Sequence, residues 1–283
     1  MIFDGVIDAH VHLWNKDRED DVLVLQTKPH LGPLADKVLL TDFLAGEKVS
    51  GAIVVQSAPN RGHSDWLRQT ARDIPHVSGI VGWLDPFDPE VACDIDTLKQ
   101  DPLVCGIRLM LNRMQRVDEL KTPITLAALA SVADAGLTIE CLCPPQFLPD
   151  AAELARALPS ASIVIDHCGL PPADEGEMDM WDQGVQELAK HPNVTIKFSG
   201  LIEPFGPEVT LADIESRALR IVELFGPHRL MLASNFPVTD LGGGQRRWAD
   251  LLAQLLDHAQ LTKDERQALF QGTAISAFGL ERQ

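Results

Sequence analysis

The 283-residue sequence predicts a single-domain α/β fold, the (β/α)8 TIM barrel, through a repeating pattern. Short runs rich in Val, Ile and Leu alternate with amphipathic, charged stretches, which is typical of buried strands joined by return helices. The runs begin roughly 25 to 45 residues apart, the length of one strand plus one helix, and eight such units make a barrel of this size. The predicted strands are Val6–His12, Gly51–Ser57, Val77–Leu84, Val104–Leu111, Gly136–Leu142, Ser162–Cys168, Asn193–Ser199 and Arg229–Ser234.

Amphipathic patterns between these runs predict the helices. Thr210 with Asp213, and Thr262 with Glu265, have the spacing of a capping box, in which each side chain bonds the other residue's backbone N–H. Residues 261–283 are predicted to include a C-terminal helix that packs on the barrel or serves a dimer contact. Helices are predicted at Ser64–Asp73, Thr122–Ala135, Pro149–Leu158, Trp181–His191, Leu211–Phe225 and Arg246–His258.

A doubly wound open sheet is the alternative fold, and the end of the first strand argues against it. Such a sheet normally has a Gly-rich turn after its first strand, whereas residues 10–14 read HVHLW, without a glycine. The long polar stretch Asn15–Pro33 that follows is interpreted either as a lid over the barrel mouth or as a surface loop.

The composition excludes several classes of function. Lys and Arg number 24 against 41 Asp and Glu, and the resulting net charge of −17 disfavours nucleic acids and anionic membranes as partners. No apolar run reaches the length of about 18 residues that a membrane span needs, and the N-terminus has no signal-peptide pattern. Five cysteines without a CxxC pair favour the reducing cytoplasm as the location.

The most informative residues lie where the predicted strands end, because the chemistry of a barrel of this kind is located at the carboxyl ends of its strands. His10 and His12 are two residues apart on the first strand, so both imidazoles point to the same side. His167 lies at the end of the sixth strand. An isolated HxH pair is more often solvated or in the core, but this placement favours three imidazoles that bind one metal or one substrate group.

Two cations lie inside apolar strand sequences. Arg108 and Lys197 each need a partner there, since burying a lone charge is costly. That partner is either a substrate carboxylate or a protein carboxylate such as Glu140. The residues predicted to bind substrate are Trp14, Gln56, Trp83, Arg108, Lys197 and Ser199.

The chain resembles the amidohydrolase superfamily, specifically the lactonase-like branch of the amidohydrolase 2 proteins, over nearly its whole length. Each motif is weak alone, but their order and their places at strand ends are specific. The motifs are IDAHVHLW at 7–14, VVQ at 54–56, GIVGWLD at 79–85, GIR at 106–108, DHCGLP at 166–171, NVTIKFSGL at 193–201 and FGPHRLMLASNFPV at 225–238.

This resemblance implies a barrel enzyme that acts on small carboxylated or sugar-derived lactones. His10, His12 and His167 match the family's histidine positions, and Asn235 falls where most members have an aspartate that activates water. An amide cannot accept that proton. Either a histidine is therefore the base, or hydrolysis is slow and isomerisation of the lactone is favoured.

The resemblance also bears on metal binding. Members with two metals have a bridging lysine or glutamate on strand four and a histidine on strand five, where this chain has Arg108 and Glu140, so a two-metal centre is not expected. Because the strand-eight aspartate is missing and two cations lie nearby, we expect no cofactor. The alternative is one Zn²⁺ bound by His10, His12 and His167.

The sequence therefore predicts a lactonase with histidine-based acid–base chemistry and a small lactone as its partner. His10 and His12 are expected to polarise the carbonyl, His167 to transfer the proton, and Asn235 to orient the nucleophile or donate to the oxyanion. A lactone isomerase is the first alternative, and a catalytically degenerate sugar-acid-binding homologue is the second. The sequence leaves a homo-oligomer open.

Overall fold

The computed structural model describes residues 5–15, 17–19, 37–46 and 49–280. Eight parallel strands pair in chain order from β1 to β8, with helices between them, and the predicted (β/α)8 barrel is confirmed. Nearly every strand residue is buried, as the Val- and Ile-rich runs predict. The strands are β1 Ile7–Val11, β2 Gly51–Val55, β3 Val77–Gly82, β4 Val104–Met110, β5 Thr138–Leu142, β6 Ile163–Ile165, β7 Val194–Phe198 and β8 Leu230–Leu232.

The barrel closes between the end of β1 and the segment that follows β8. The backbone N–H of His12 donates to the carbonyl of Phe236 at 2.7 Å, and that of Asn235 donates to the carbonyl of His10 at 2.9 Å. Val11 and Phe236 form the corresponding parallel bridge. These bonds bring the first-strand histidines next to the residues that follow β8.

All eight strands are shorter than predicted, and the difference is largest for β6 and β8. β6 and β8 have three residues each, against the predicted ranges Ser162–Cys168 and Arg229–Ser234. β6 stops at Ile165 because His167 and Cys168 adopt left-handed backbone angles, with φ of 52° and 53°. Such angles turn the chain out of the sheet, so the predicted strand ends in a turn that presents a histidine.

The helices bury one face each against the barrel. In Leu211–Phe225, for example, Ile214, Ala218 and Ile221 recur at the spacing of one helix face and are fully buried. Both predicted capping boxes are present. The helices are Lys37–Gly46, Arg61–Ala71, Val91–Lys99, Pro123–Asp134, Leu148–Ala157, Met178–Ala189, Leu211–Phe225, Gly244–His258, Lys263–Gln267 and Thr273–Phe278.

The last helix covers the amino-terminal end of the barrel, opposite the site described below. Ala274 and Phe278 are buried in the cluster formed by barrel-interior residues. The carbonyl of Ala277 accepts hydrogen bonds from Thr138 Oγ1 at 2.6 Å and Ser162 Oγ at 2.9 Å. The helix thus attaches to the beginnings of two neighbouring strands, β5 and β6.

Part of the predicted lid or surface loop Asn15–Pro33, namely residues 16 and 20–33, lies outside the described residues, as do residues 281–283. Within the described ranges, the helices are all too short or too polar to cross a bilayer.

Candidate active site

Three imidazoles meet at the carboxyl end of the barrel. His10 and His12 extend from β1, with their Nε2 atoms 3.1 Å apart and ring centroids 4.7 Å apart. The His167 ring, presented by the turn after β6, has its centroid 4.4 Å from that of His10. All three side chains are buried. The structure therefore brings together the three histidines on which the sequence-based mechanism depends.

Two of these imidazoles are held through Nδ1. His12 Nδ1 donates to the carbonyl of Val55 at 2.9 Å, which leaves Nε2 of the neutral ring as an acceptor. His167 Nδ1 bonds the hydroxyl of Ser199 at 2.8 Å. Ser199 was predicted to bind substrate, but its hydroxyl here orients the imidazole. In both rings Nε2 is the second nitrogen, through which an imidazole contacts a substrate or a metal, and that of His12 lies 3.1 Å from His10 Nε2.

Charged groups of both signs surround His10 Nδ1, including Glu140 Oε1 at 3.6 Å. Lys197 Nζ lies at 3.1 Å and Asp166 Oδ1 at 3.3 Å. When Lys197 donates to Nδ1, the proton of His10 is on Nε2 and is donated to His12. When Nδ1 donates to Asp166, two Nε2 lone pairs face each other at 3.1 Å, an arrangement that a bound cation stabilises.

Beneath the histidines, two cations and two carboxylates form a buried network. Arg108 Nε donates to Asp166 Oδ2 at 2.7 Å and lies 3.5 Å from Glu140 Oε1. Lys197 pairs with Glu140. The partners of both cations are thus protein carboxylates, one of the two alternatives that the sequence left open. Asp166 lies close to both cations and stays ionised, so it offsets part of the expected repulsion of a metal ion by Arg108 and Lys197.

Burial controls the protonation of this network. Desolvation, followed by the nearby charge of Lys197 for His10 and of Arg108 for His12, lowers the pKa of both imidazoles well below the ordinary value. Desolvation and the charge of Asp166 raise the pKa of Glu140 to about 8. His10 and His12 are therefore neutral near pH 7.

A second polar pair lies above the histidines. Asn235 follows β8 in a left-handed conformation, with φ of 60°. Its Nδ2 donates to Oε1 of Glu203 at 2.7 Å. Glu203 begins a short turn on the loop after β7. Sequence reasoning missed this residue, although it is the only carboxylate in the five residues after Phe198.

These groups surround a cavity of about 290 Å³ that opens at the barrel mouth. Trp14 stacks on the His12 ring at 5.6 Å and forms part of the wall. The cavity lining includes Trp14, Ser57, Arg108, Met110, Arg113, His12, His167, Glu203 and Asn235.

The other residues predicted to bind substrate lie elsewhere. Lys197 is fully buried under the histidines, and the Gln56 amide donates to the carbonyl of Arg108 at 3.4 Å. Trp83 lines a neighbouring cavity of about 240 Å³. His10 is likewise absent from the lining of the main cavity, and its ring contacts those of His12 and His167.

The donor set fits a single zinc ion. His10, Asp166 and His167 offer ligand atoms that all lie within 4.8 Å of one another, and imidazole and carboxylate are ligands that zinc prefers. Histidines that bind metals usually have their second nitrogen hydrogen-bonded, as His12 and His167 do here. Chemistry without a cofactor stays a prediction beside this alternative.

Comparisons with known proteins agree with the fold and with the motifs. A family model described as Amidohydrolase matches residues 7–280. An L-fucono-1,5-lactonase of Burkholderia ambifaria is 32% identical over 98% of this chain and 96% of its own. An L-fucono-1,5-lactonase of Burkholderia multivorans is 27% identical over 97% of this chain and 96% of its own.

Solved structures give the same result. A crystal structure of an amidohydrolase from Burkholderia multivorans with bound zinc superimposes with a TM-score of 0.87 at 25% identity, covering 98% of this chain and all of that one. The same amidohydrolase was also solved with bound HEPES, with the same TM-score and coverage. The resemblance drawn from the sequence is confirmed, and the chain belongs to the amidohydrolase family.

Proposed function

We propose that this protein hydrolyses the lactone of a sugar acid. The observation that best supports the proposal is the convergence of His12, His167 and Asn235 on one cavity at the carboxyl end of the barrel. A lactone is an ester, so its opening needs a polarised carbonyl, an oxygen nucleophile and a proton for the leaving alkoxide. Groups able to supply each of these line the cavity, and two relatives are named L-fucono-1,5-lactonases.

The cavity suits a small, hydroxylated substrate. Its volume of about 290 Å³ is at the lower end of the range for small-molecule sites, about 300–1,000 Å³. Arg108, Ser57 and Glu203 offer polar atoms at the wall, and Trp14 offers an aromatic face. A single sugar-acid ring has this combination of hydroxyl groups and an apolar face.

The neutral imidazoles act on the substrate through Nε2. Because the Nδ1 proton of His12 is donated to the Val55 carbonyl, Nε2 of His12 is an acceptor, and it positions the substrate by accepting a hydrogen bond from one of its hydroxyl groups. His167, oriented by Ser199, exchanges the proton with the ring oxygen. Asn235 stabilises the oxyanion or orients the nucleophile. His10, Asp166 and His167, or the three histidines, would hold a zinc ion, and such an ion would supply Lewis-acid polarisation of the carbonyl.

Lactone isomerisation is the second candidate, favoured by the amide of Asn235 where a carboxylate would activate water. In that reaction a hydroxyl of the substrate attacks the carbonyl, and the ring size changes without uptake of water.

One experiment separates these functions. The protein is incubated with aldono-1,4-lactones, aldono-1,5-lactones and dicarboxylate lactones in water enriched in ¹⁸O, and products are followed by NMR and mass spectrometry against an enzyme-free control. Hydrolysis yields an open hydroxy acid with one ¹⁸O atom, and isomerisation yields a new ring without ¹⁸O. Binding without any product contradicts both reactions and supports the degenerate homologue.

A further inference from the structure

The loop after β7 contains a carboxylate that faces the same cavity as the catalytic histidines. We propose that Glu203 replaces the carboxylate that the end of β8 lacks and acts as the general base of the lactone reaction, with Asn235 as the group that positions it. This inference rests on the proposed function. It assigns the proton acceptor that an amide at position 235 cannot be.

The geometry of the pair gives Glu203 a defined orientation. Its Oε1 accepts from Asn235 Nδ2 at 2.7 Å, and its Oε2 accepts from the backbone N–H of Ile202 at 3.2 Å. An ionised carboxylate has about four lone-pair sites, so these two hydrogen bonds do not prevent it from accepting a proton. Glu203 is half-buried and lines the cavity beside His12 and His167.

The loops that hold the two residues are packed against each other. Ile202 is buried, and a Cβ added at Gly242 would lie 2.6 Å from its Cγ1 and 2.7 Å from its carbonyl carbon. Only glycine permits this approach between the loops after β7 and β8. The backbone of Asn235 is fixed as well, through its N–H bond to the carbonyl of His10 at 2.9 Å. The hydrogen bond between Glu203 and Asn235 therefore joins two firmly placed backbones.

An ionised carboxylate at Glu203 is compatible with an amide at position 235 but not with a second ionised carboxylate there. An aspartate at position 235 would place a carboxylate oxygen about where Nδ2 now lies, 2.7 Å from Glu203 Oε1. Two carboxylates so close cannot both ionise, because each raises the pKa of the other. With an amide at position 235, Nδ2 instead donates a hydrogen bond to the ionised carboxylate of Glu203. The missing aspartate and the carboxylate of Glu203 are thus two parts of one arrangement.

Glu203 accepts a proton from water as the water oxygen bonds to the lactone carbonyl carbon. The bond between that carbon and the ring oxygen then breaks, and the ring oxygen takes up a proton, returned by Glu203 directly or through His167. Lactone and water give one hydroxy acid. With a substrate hydroxyl as the nucleophile, the same proton transfers give an isomeric lactone.

The test exchanges the two functional groups. Glu203→Gln should lower kcat by at least about 10², the usual contribution of a general base. The double variant Glu203→Gln/Asn235→Asp puts the carboxylate at the other end of the same hydrogen bond. Its kcat should be at least about tenfold higher than that of Glu203→Gln. Glu208→Gln, on the same loop but exposed, is the matched control and should keep the wild-type kcat.

A second variant distinguishes loss of the carboxylate from loss of the folded structure. Glu203→Ala removes the carboxylate, and added formate should restore part of its kcat, whereas chloride at the same ionic strength should not. The role of Glu203 is overturned if Glu203→Gln keeps the wild-type kcat. It is also overturned if kcat recovers neither in Glu203→Gln/Asn235→Asp nor in Glu203→Ala with formate. Either result leaves the proposed lactone turnover by the wild type unaffected. Absence of wild-type turnover on every lactone overturns the proposed function and this inference together.

Discussion

Gly200 offers the sharpest test of whether the position of His167 controls turnover. Its φ is +71°, and a Cβ added there would lie 2.3 Å from Cβ of His167, whereas ordinary van der Waals contact begins at 3.4 Å. Gly200→Ala therefore requires His167 or its own loop to move by about 1 Å. A displacement of that size at a reacting group can cost about 10² in rate.

The matched control is Gly136→Ala. Gly136 has a similar φ of +79°, but a Cβ there meets no atom within 4 Å, and the residue lies just before β5 at the far end of the barrel. Both variants incur the left-handed strain of a non-glycine residue, about 1–2 kcal/mol. Only Gly200→Ala also displaces the imidazole.

Steady-state kinetics and thermal denaturation of both variants separate the two effects. We expect both to lose similar stability from backbone strain, with an additional loss in Gly200→Ala from the contact, and only Gly200→Ala to lose kcat by about 10². Equal kcat values in two folded variants would refute the reasoning, because they would mean that His167 tolerates the displacement.

Two further predictions concern the buried network and the metal. Lys197→Met should lower the free energy of unfolding in urea by about 3–5 kcal/mol, because it leaves buried carboxylates without their cation, and Lys197→Met/Glu140→Gln should recover most of that loss. The control is Lys190→Met, which removes an exposed pair with Glu187. If Lys197→Met lost no more stability than this control, the stabilising role of the buried network would be contradicted. Dialysis against EDTA should leave kcat and the melting temperature unchanged if the chemistry needs no cofactor; a loss of both that Zn²⁺ alone reverses would contradict that expectation and support the single-zinc alternative.

The strands and helices could be predicted from the sequence because short local patterns of apolar and capping residues determine them. Runs such as GAIVV at 51–55 are apolar on both faces, which predicts a buried parallel strand without knowledge of its neighbours. The capping residue Thr210 likewise acts on its own helix. The error at β6 arose at residues 166–168, where no local sequence pattern announces the left-handed angles of His167 and Cys168 that end the strand.

The details of the site depend on contacts between distant segments, which no local pattern contains. The need of Arg108 for a carboxylate was predictable, but that Asp166 supplies one, 58 residues away, was not. Lys197 has the same apolar surroundings in sequence whether it faces a substrate or lies beneath His10. Glu203 is a single charged residue in an irregular loop, and only its hydrogen bond to Asn235 reveals its position.

The central claim is that the imidazole at the end of β6 takes part in the reaction, and one comparison of turnover tests it most directly. His167→Asn keeps a residue type that tolerates the φ of 52°, whereas His258→Asn changes an exposed histidine paired with Glu215. At saturating lactone, His167→Asn should reduce kcat at least about 10² without unfolding, and His258→Asn should match the wild type. A folded His167→Asn variant with wild-type kcat would contradict the account.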